Sequence, residues 1–250
     1  MTVRTAAAMG CVLLAAASVR ADEPMPHALA APPLLAPGAV VAALAIESEG
    51  AADRVDVAAD AWYGVSDRLT LGVSHSHRGG APGVGRGVCA RGCLDGDDRY
   101  RGVALAARFP LGGGATRLVG EVATDVAAWS PARASMQLGL LAHWRDRRVW
   151  AQAAARLGVG LLGRADGNRE VIRGDAVVGV ALGGPITLEL GLGMRGPASE
   201  DFFGDATAPL WTQLVARASA RWAIGALVGV DQALGDRAVF TALTVELRAR

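Results

Sequence analysis

The sequence predicts an all-β protein, an antiparallel up-and-down transmembrane β-barrel of about twelve strands, within a range of about ten to fourteen. Short segments of alternating apolar and polar residues recur along the chain, and this period of two is typical of strands with one apolar face. The links between the segments alternate between tight and long, as in barrels with short periplasmic turns and longer outside loops. The tight links lie near residues 64–67, 110–114, 146–147, 183–185 and 223, and the longest loops span 78–98 and 196–209.

The first residues have the pattern of a secretory signal peptide. Arg4 precedes the apolar run Thr5–Ser18, and Val19-Arg20-Ala21 places small residues where a signal peptidase cleaves. The run is shorter than the roughly 20 apolar residues that a membrane helix needs. We therefore expect a signal peptide over residues 1–21 and export of the mature chain.

Residues 22–38 are rich in proline and predict an extended periplasmic N-terminal arm. Such a short arm is a poor candidate for a plug. The barrel is then expected over residues 39–250. Its strands are predicted, in chain order, at Ala39–Glu47, Arg54–Tyr63, Arg68–His77, Arg99–Phe109, Ala115–Trp129, Ala134–Arg145, Arg148–Leu161, Val171–Leu182, Ile186–Arg195, Leu210–Trp222, Ile224–Gln232 and Ala238–Arg248.

Alternation alone does not say whether the apolar face points inward, as in a soluble secreted barrel, or outward to lipid. Four aromatic residues help to decide, because each lies on the apolar face at the end of a strand that runs toward a short turn. They are Tyr63, Phe109, Trp144 and Trp222. Aromatic residues at one level are typical of an interfacial girdle, so the sequence favours a barrel in the outer membrane of a Gram-negative bacterium.

The opposite, polar face predicts a charged lumen, in which arginine outnumbers the acids. The predicted lining residues are Asp56, Asp60, Arg108, Arg117, Glu121, Asp125, Arg145, Arg156, Arg173, Asp175, Glu189, Arg217 and Arg221. These charges either pair with one another and fill the barrel, or line a wet pore and bias it weakly toward anions. About twelve strands lie between the roughly eight that leave room only for side chains and the 16–18 that enclose a channel.

Composition and motifs exclude other classes of function. The chain has 25 basic and 24 acidic residues, a balance that argues against a general nucleic-acid binder. In Ser74-His75-Ser76-His77, neighbouring strand residues point to opposite faces, which separates each serine from its adjacent histidine. We therefore predict no enzyme, no cofactor and no metal. Cys89 and Cys93, an even pair in an exported chain, predict a disulfide.

Residues Tyr63 to Gly72, with the sequence YGVSDRLTLG, form a tyrosine-glycine turn followed by Asp-Arg and a fresh apolar strand. This segment resembles a turn repeated in outer-membrane transporters of the phenol-degradation-pathway type. The resemblance implies a barrel and uptake of small organic molecules, and it transfers no site residues.

The leading hypothesis from the sequence is a passive outer-membrane channel for small solutes. The alternative is a closed barrel with a structural or surface-recognition role through its outer loops. The expected partners are the lipid bilayer and small solutes, without nucleic acid, and the sequence does not define the oligomeric state.

Overall fold

The computed structural model describes residues 33–49, 54–75, 87–93, 100–113, 116–129, 132–165, 167–199, 202, 206–230, 232 and 239–249. Fourteen strands lie within this part of the chain, and every pairing between them is antiparallel. They are β1 (Val40–Glu49), β2 (Arg54–Ser66), β3 (Leu69–Ser74), β4 (Gly87–Arg91), β5 (Tyr100–Arg101), β6 (Val103–Gly112), β7 (Thr116–Trp129), β8 (Ala132–Arg145), β9 (Val149–Leu162), β10 (Val171–Gly183), β11 (Ile186–Pro197), β12 (Leu210–Arg217), β13 (Trp222–Val230) and β14 (Val239–Ala249).

The sheet closes into a barrel because β1 pairs with both β14 and β2. Val40 lies opposite Ala249 on one side and opposite Tyr63 on the other. The closed barrel has twelve strand positions, which confirms the predicted fold class. β3 and β4 share one position, since β2 pairs with β3 near the short turn and with β4 at its other end. β5 and β6 share the next position, since β5 pairs with β4 and β6 pairs with β3.

Two predicted boundaries in this region are wrong. The predicted loop over residues 78–98 contains β4, and β3 ends at Ser74 instead of His77, which lies outside the described residues. The disulfide between Cys89 and Cys93 is confirmed, and it joins β4 to the residues that follow it. A cysteine pair and a run of glycines gave the sequence the appearance of a loop, whereas the edge of β2 offers this segment a partner strand.

The apolar face of the sheet points outward. In β9, Leu157 and Leu161 are 43% and 55% exposed, whereas Gln152 and Arg156 on the opposite face are each 3% exposed. A soluble barrel would bury the leucines and expose the arginine, so the secreted soluble alternative is wrong. No helix among the described residues is long and apolar enough to cross a bilayer.

The two ends of the barrel differ. The turn end carries the links of β2–β3, β6–β7, β8–β9, β10–β11 and β12–β13, together with the start of β1 and the end of β14. The loop end carries the longer links, although β7 and β8 are joined there by only the residues between Trp129 and Ala132. Tyr63, Phe109, Trp144 and Trp222 are exposed on the outer face toward the turn end, and their role as an interfacial girdle stays a prediction.

Inside the barrel, buried aromatic rings pack against glycines directly opposite them on the neighbouring strand. The pairs are Trp62–Gly72, Trp150–Gly179, Trp211–Gly191 and Phe240–Gly229. At each of these glycines, a β-carbon would overlap the ring. The missing side chain therefore lets a large ring lie flat on the sheet, as in the aromatic rescue of strand glycines.

Replacing Gly179 by alanine is expected to destabilise the barrel by about 1–3 kcal/mol, the usual cost of overpacking a filled interior. The new methyl group would collide with the Trp150 indole, which is fully buried and packs in one cluster with Val177 and Trp211. Urea unfolding of the refolded protein in lipid measures the change. The matched control is Gly174→Ala in the same strand, where the nearest atom to the new methyl is the Ala154 carbonyl oxygen at 3.9 Å. Equal unfolding midpoints for the two variants would contradict the packing argument.

Candidate functional site

The strand register aligns charged residues in one row across the interior. Arg108 of β6 lies opposite Glu121 of β7, which lies opposite Gly139 of β8, followed by Arg156 of β9 and Arg173 of β10. A β-carbon at Gly139 would lie 3.2 Å from side-chain atoms of both Glu121 and Arg156. The glycine therefore leaves the space in which these two side chains meet across β8.

The row forms a continuous chain of ion pairs. Arg108 Nη2 lies 2.6 Å from Glu121 Oε2, and Arg156 Nε donates to Glu121 Oε1 at 2.6 Å. Arg156 Nη1 in turn donates to Asp175 Oδ2 at 2.9 Å, and Arg173 Nε lies 3.6 Å from the same oxygen. We call these five residues the ion-pair chain. Because each charge has an opposite partner, the chain can be buried without an isolated ion.

The side chains at the centre of the ion-pair chain are buried. Arg108 has no exposed surface, and Glu121 is 2% exposed, so neither side chain borders space that water can enter. The Arg108 guanidinium also lies 3.8 Å from the centre of the Trp62 ring, which adds a cation–π contact.

The chain preceding β1 turns back at the turn end. The Ala39 N–H donates to the Ala36 carbonyl oxygen at 3.0 Å, and Gly38 between them has φ 75°. Proline followed by glycine in the left-handed region is typical of a type II turn. Two backbone hydrogen bonds with Gly64 then fix the turn against β2, at 2.8 Å from Gly38 N and 2.9 Å to Ala39 O.

Beyond this turn, Leu34 and Leu35 lie inside the barrel. The Leu35 N–H donates to Thr70 Oγ1 at 2.9 Å, and its side chain is buried in one cluster with Trp62. Leu34 packs against the buried cluster that contains Val119 and Leu141. For residues 33–36 the prediction of an arm outside the barrel is therefore wrong, because inward-facing apolar side chains offer these leucines a buried surface.

The structure places the predicted lumen residues in three groups. Buried in the interior are Asp56, Asp60, Arg108, Glu121, Asp125, Arg156, Arg173 and Glu189. Half-buried are Arg145, Asp175 and Arg217, whereas Arg117 and Arg221 are exposed at the turn end. That these side chains line a path for solutes stays a prediction.

Sequence reasoning missed several buried polar residues. Glu47, Gln213 and Glu246 are each 5% exposed or less, and Glu246 pairs with Arg248. The alternation of β14 could have found Glu246, since it lies on the same face as the buried Thr244. Gln213 shares its face of β12 with Trp211, which hides the polar signal in an apolar segment.

Arginines lie at both ends of the barrel. At the turn end, Arg117, Arg145, Arg148, Arg217, Arg221 and Arg248 come from β7, β8, the link before β9, β12, the link before β13, and β14. At the loop end, a cavity of about 50 Å³ is lined by Arg156, Arg169, Arg173 and Arg195 together with Asp125 and neutral groups.

The Ser-His cluster offers no catalytic pair among the described residues. Ser74 is buried inside, whereas the next residue, His75, points to the other face. His75 Nε2 lies 2.7 Å from the Tyr100 hydroxyl, and its backbone N–H donates to Asp60 Oδ1 at 2.8 Å. Within the described residues, no group of three or more His, Cys, Asp or Glu side chains could hold a metal ion.

The chain is similar in fold to solved outer-membrane porins. The NanC porin superposes with a TM-score of 0.63 at 7% identity, covering 82% of this chain and 98% of that one. The KdgM porin gives a TM-score of 0.59 at 8% identity, covering 83% and 98%. An outer-membrane channel from Pseudomonas putida F1 gives 0.56 at 12% identity, covering 86% and 97%. The fold is that of an outer-membrane porin.

The location in the outer membrane stays a prediction. No protein-family model and no curated protein matches the chain. The specific resemblance to transporters of the phenol-degradation-pathway type is not shown by these comparisons and stays a prediction. The signal peptide expected over residues 1–21 lies outside the described residues.

Proposed function

We propose that the protein is an outer-membrane channel for the passage of small solutes, with a preference for anions. The observation that carries this proposal is the presence of arginine clusters at both mouths of a closed barrel, joined by a charged interior. An anion that crosses the barrel meets guanidinium groups at entry, along the wall and at exit. A cation meets a repulsive potential at both ends.

Passage requires the interior to rearrange, because the ion-pair chain has little contact with water at its centre. Buried polar atoms without a hydrogen-bond partner favour such a rearrangement. Glu189 Oε2 and both amide atoms of Gln213 are buried without a hydrogen-bond partner in the described part of the chain, at a cost of about 1–3 kcal/mol for each such group. A hydrated lumen would remove this cost.

One structural neighbour supports this class of solute. One KdgM porin structure, with a TM-score of 0.55 at 8% identity, is described as a complex with disordered oligogalacturonate, which is an acidic sugar oligomer. The resemblance to phenol-pathway transporters implies small organic molecules instead. Aromatic acids would satisfy both expectations, since they combine an apolar body with a carboxylate.

The experiment that tests the proposal is single-channel recording of the refolded chain, from Asp22 onward, in a planar bilayer. We expect stable current steps with anions more permeant than cations. Arg217→Gln, at the turn-end mouth, is expected to reduce the anion preference. The matched control is Arg91→Gln, which removes the same charge from β4 and should leave the preference unchanged.

Well-inserted protein that carries no current would overturn the channel and favour a second function. A closed barrel with a recognition role is supported by the packed interior and by the disulfide that stiffens the loop-end segment after β4. In that case, the loop end would carry the function.

A further inference from the structure

The loop-end cavity is a defined pocket between β7, β8, β9, β10 and β11. Its lining consists of Asp125, Ala127, Ser135, Gln137, Arg156, Gly158, Asn168, Arg169, Val171, Arg173 and Arg195. Most of these side chains are polar, and four are arginines. The pocket lies at the entrance from outside, directly above the ion-pair chain, because Arg156 and Arg173 belong to both.

Among the described residues around the pocket, arginines outnumber carboxylates. Asp125 interacts electrostatically with Arg173 and Arg195, and Asp175 binds Arg156 and Arg173. The carboxylate of Glu121 pairs with both Arg156 and Arg108. Glu170 interacts electrostatically with Arg169. Among the described residues, this network therefore contains four carboxylates, Glu121, Asp125, Glu170 and Asp175, and six arginines, Arg108, Arg156, Arg164, Arg169, Arg173 and Arg195. The neighbouring Glu170 pairs with Arg164 and forms a neutral pair at the rim.

The groups that would hold a ligand are held in place by the protein. Arg156 and Arg173 are 3% and 7% exposed, and Asp125 has no exposed surface. Arg156 is fixed on two sides by Glu121 and Asp175. Arg195 and Arg169 are exposed, so the pocket stays open to solvent on one side. Two fixed guanidinium groups and two accessible ones form a preorganised site for an oxygen anion.

We propose that this pocket binds a small oxyanion, such as the carboxylate of an organic acid or inorganic phosphate, and that Arg173 and Arg195 are its principal ligands. The binding itself stands on the pocket, whereas its role as the first docking position of a transported solute rests on the proposed function. A volume of about 50 Å³ accommodates one charged group, so the body of a larger solute would remain in the mouth. The oxyanion would add negative charge to a network in which arginines outnumber carboxylates among the described residues, and the small volume leaves room for one anionic group.

Isothermal titration calorimetry of the refolded protein in detergent micelles tests the site. The probes are disodium malonate and disodium phosphate, with sodium chloride at matched ionic strength as the blank. We expect saturable heat with at least one of the two oxyanions, and none with chloride. Binding of malonate alone would identify a carboxylate site, and binding of both would identify a general oxyanion site.

Arg173→Gln is expected to weaken this binding by at least about tenfold, since a charged hydrogen-bond donor is lost. If this buried variant does not fold, Arg195→Gln replaces it, because Arg195 is exposed. The control Arg91→Gln should bind as the unaltered chain does. Absence of binding heat with both oxyanions would overturn the site. So would an affinity of the Arg173→Gln or Arg195→Gln variant equal to that of the unaltered chain.

The two proposals fail in different ways. A protein that binds malonate but carries no current keeps the oxyanion site and loses the channel. A protein that conducts anions without saturable binding keeps the channel and loses the site.

Discussion

Replacing Glu121 by glutamine is expected to lower the free energy of unfolding by about 3–5 kcal/mol, the cost of breaking a buried ion pair from one side. The carboxylate of Glu121 bridges Arg108 and Arg156, and all three side chains are 3% exposed or less. The variant leaves one negative charge fewer among buried arginines. Urea unfolding of the protein in lipid, followed by tryptophan fluorescence, measures the loss.

Glu170→Gln is the matched control, since it also breaks a pair with an arginine. Arg164 Nη1 donates to Glu170 Oε1 at 2.7 Å, and this hydrogen bond holds the pKa of Glu170 below its ordinary value. The pair is exposed at the loop end, where solvent screens it, so no measurable change in stability is expected. If the two variants unfold at the same urea concentration, the ion-pair chain does not stabilise the barrel.

Replacing Gly64 by alanine is expected to open the turn end of the barrel and to raise single-channel conductance severalfold. The new methyl group would point into the interior, where it would overlap the backbone carbonyl groups of Leu35 and Ala36. Backbone atoms cannot rotate away as a side chain can, so the segment over residues 33–36 must leave its position. Its departure removes Leu34 and Leu35 from the lumen.

Two further measurements make this result specific to the segment. Leu34→Cys, alone and combined with Gly64→Ala, reports the position of the segment through labelling by a membrane-impermeant maleimide. Labelling should be slow in the single variant and fast in the double variant. The control Gly112→Ala adds a methyl group at the end of β6 with no atom within 4 Å and should change neither labelling nor conductance. An unchanged conductance together with fast labelling would show that the segment does not limit passage.

The barrel itself could be predicted from the sequence because its signal is local. Alternation along a segment such as Val149–Leu162 needs no knowledge of the other strands. The tight turns beside these segments gave the antiparallel order. Once one face was known to be apolar and ended by aromatic residues such as Trp144, the direction of that face also followed.

The contacts inside the barrel could not be predicted in the same way. Arg156 meets Glu121 across 35 positions of sequence, through a strand between them that contributes only Gly139. That meeting depends on the register of two hairpins, and a shift by one residue would move each side chain to the other face. The alternation in the sequence predicts that both residues face the lumen, but it does not indicate that they pair.

The position of the N-terminal segment, residues 33–36, could not be predicted from neighbouring residues either. Its prolines indicated an extended chain, but the described residues turn back at Pro37 and Gly38. The position of Leu34 depends on the apolar surface that Val119 and Leu141 present inside the barrel. The strand β4 is a further case, since it forms only because the edge of β2 extends beyond β3.

The sequence by itself determined the period of two, the apolar outer face and the excess of arginine on the polar face, because each of these is a property of neighbouring residues. The tertiary structure decided which charged side chains pair with one another, where arginines outnumber carboxylates among the described residues, and which segment occupies the lumen. These depend on strand register and barrel closure, which bring together residues that are far apart in the chain. The buried ion-pair chain and the basic pocket at the loop end are therefore features of the closed barrel and not of any single strand.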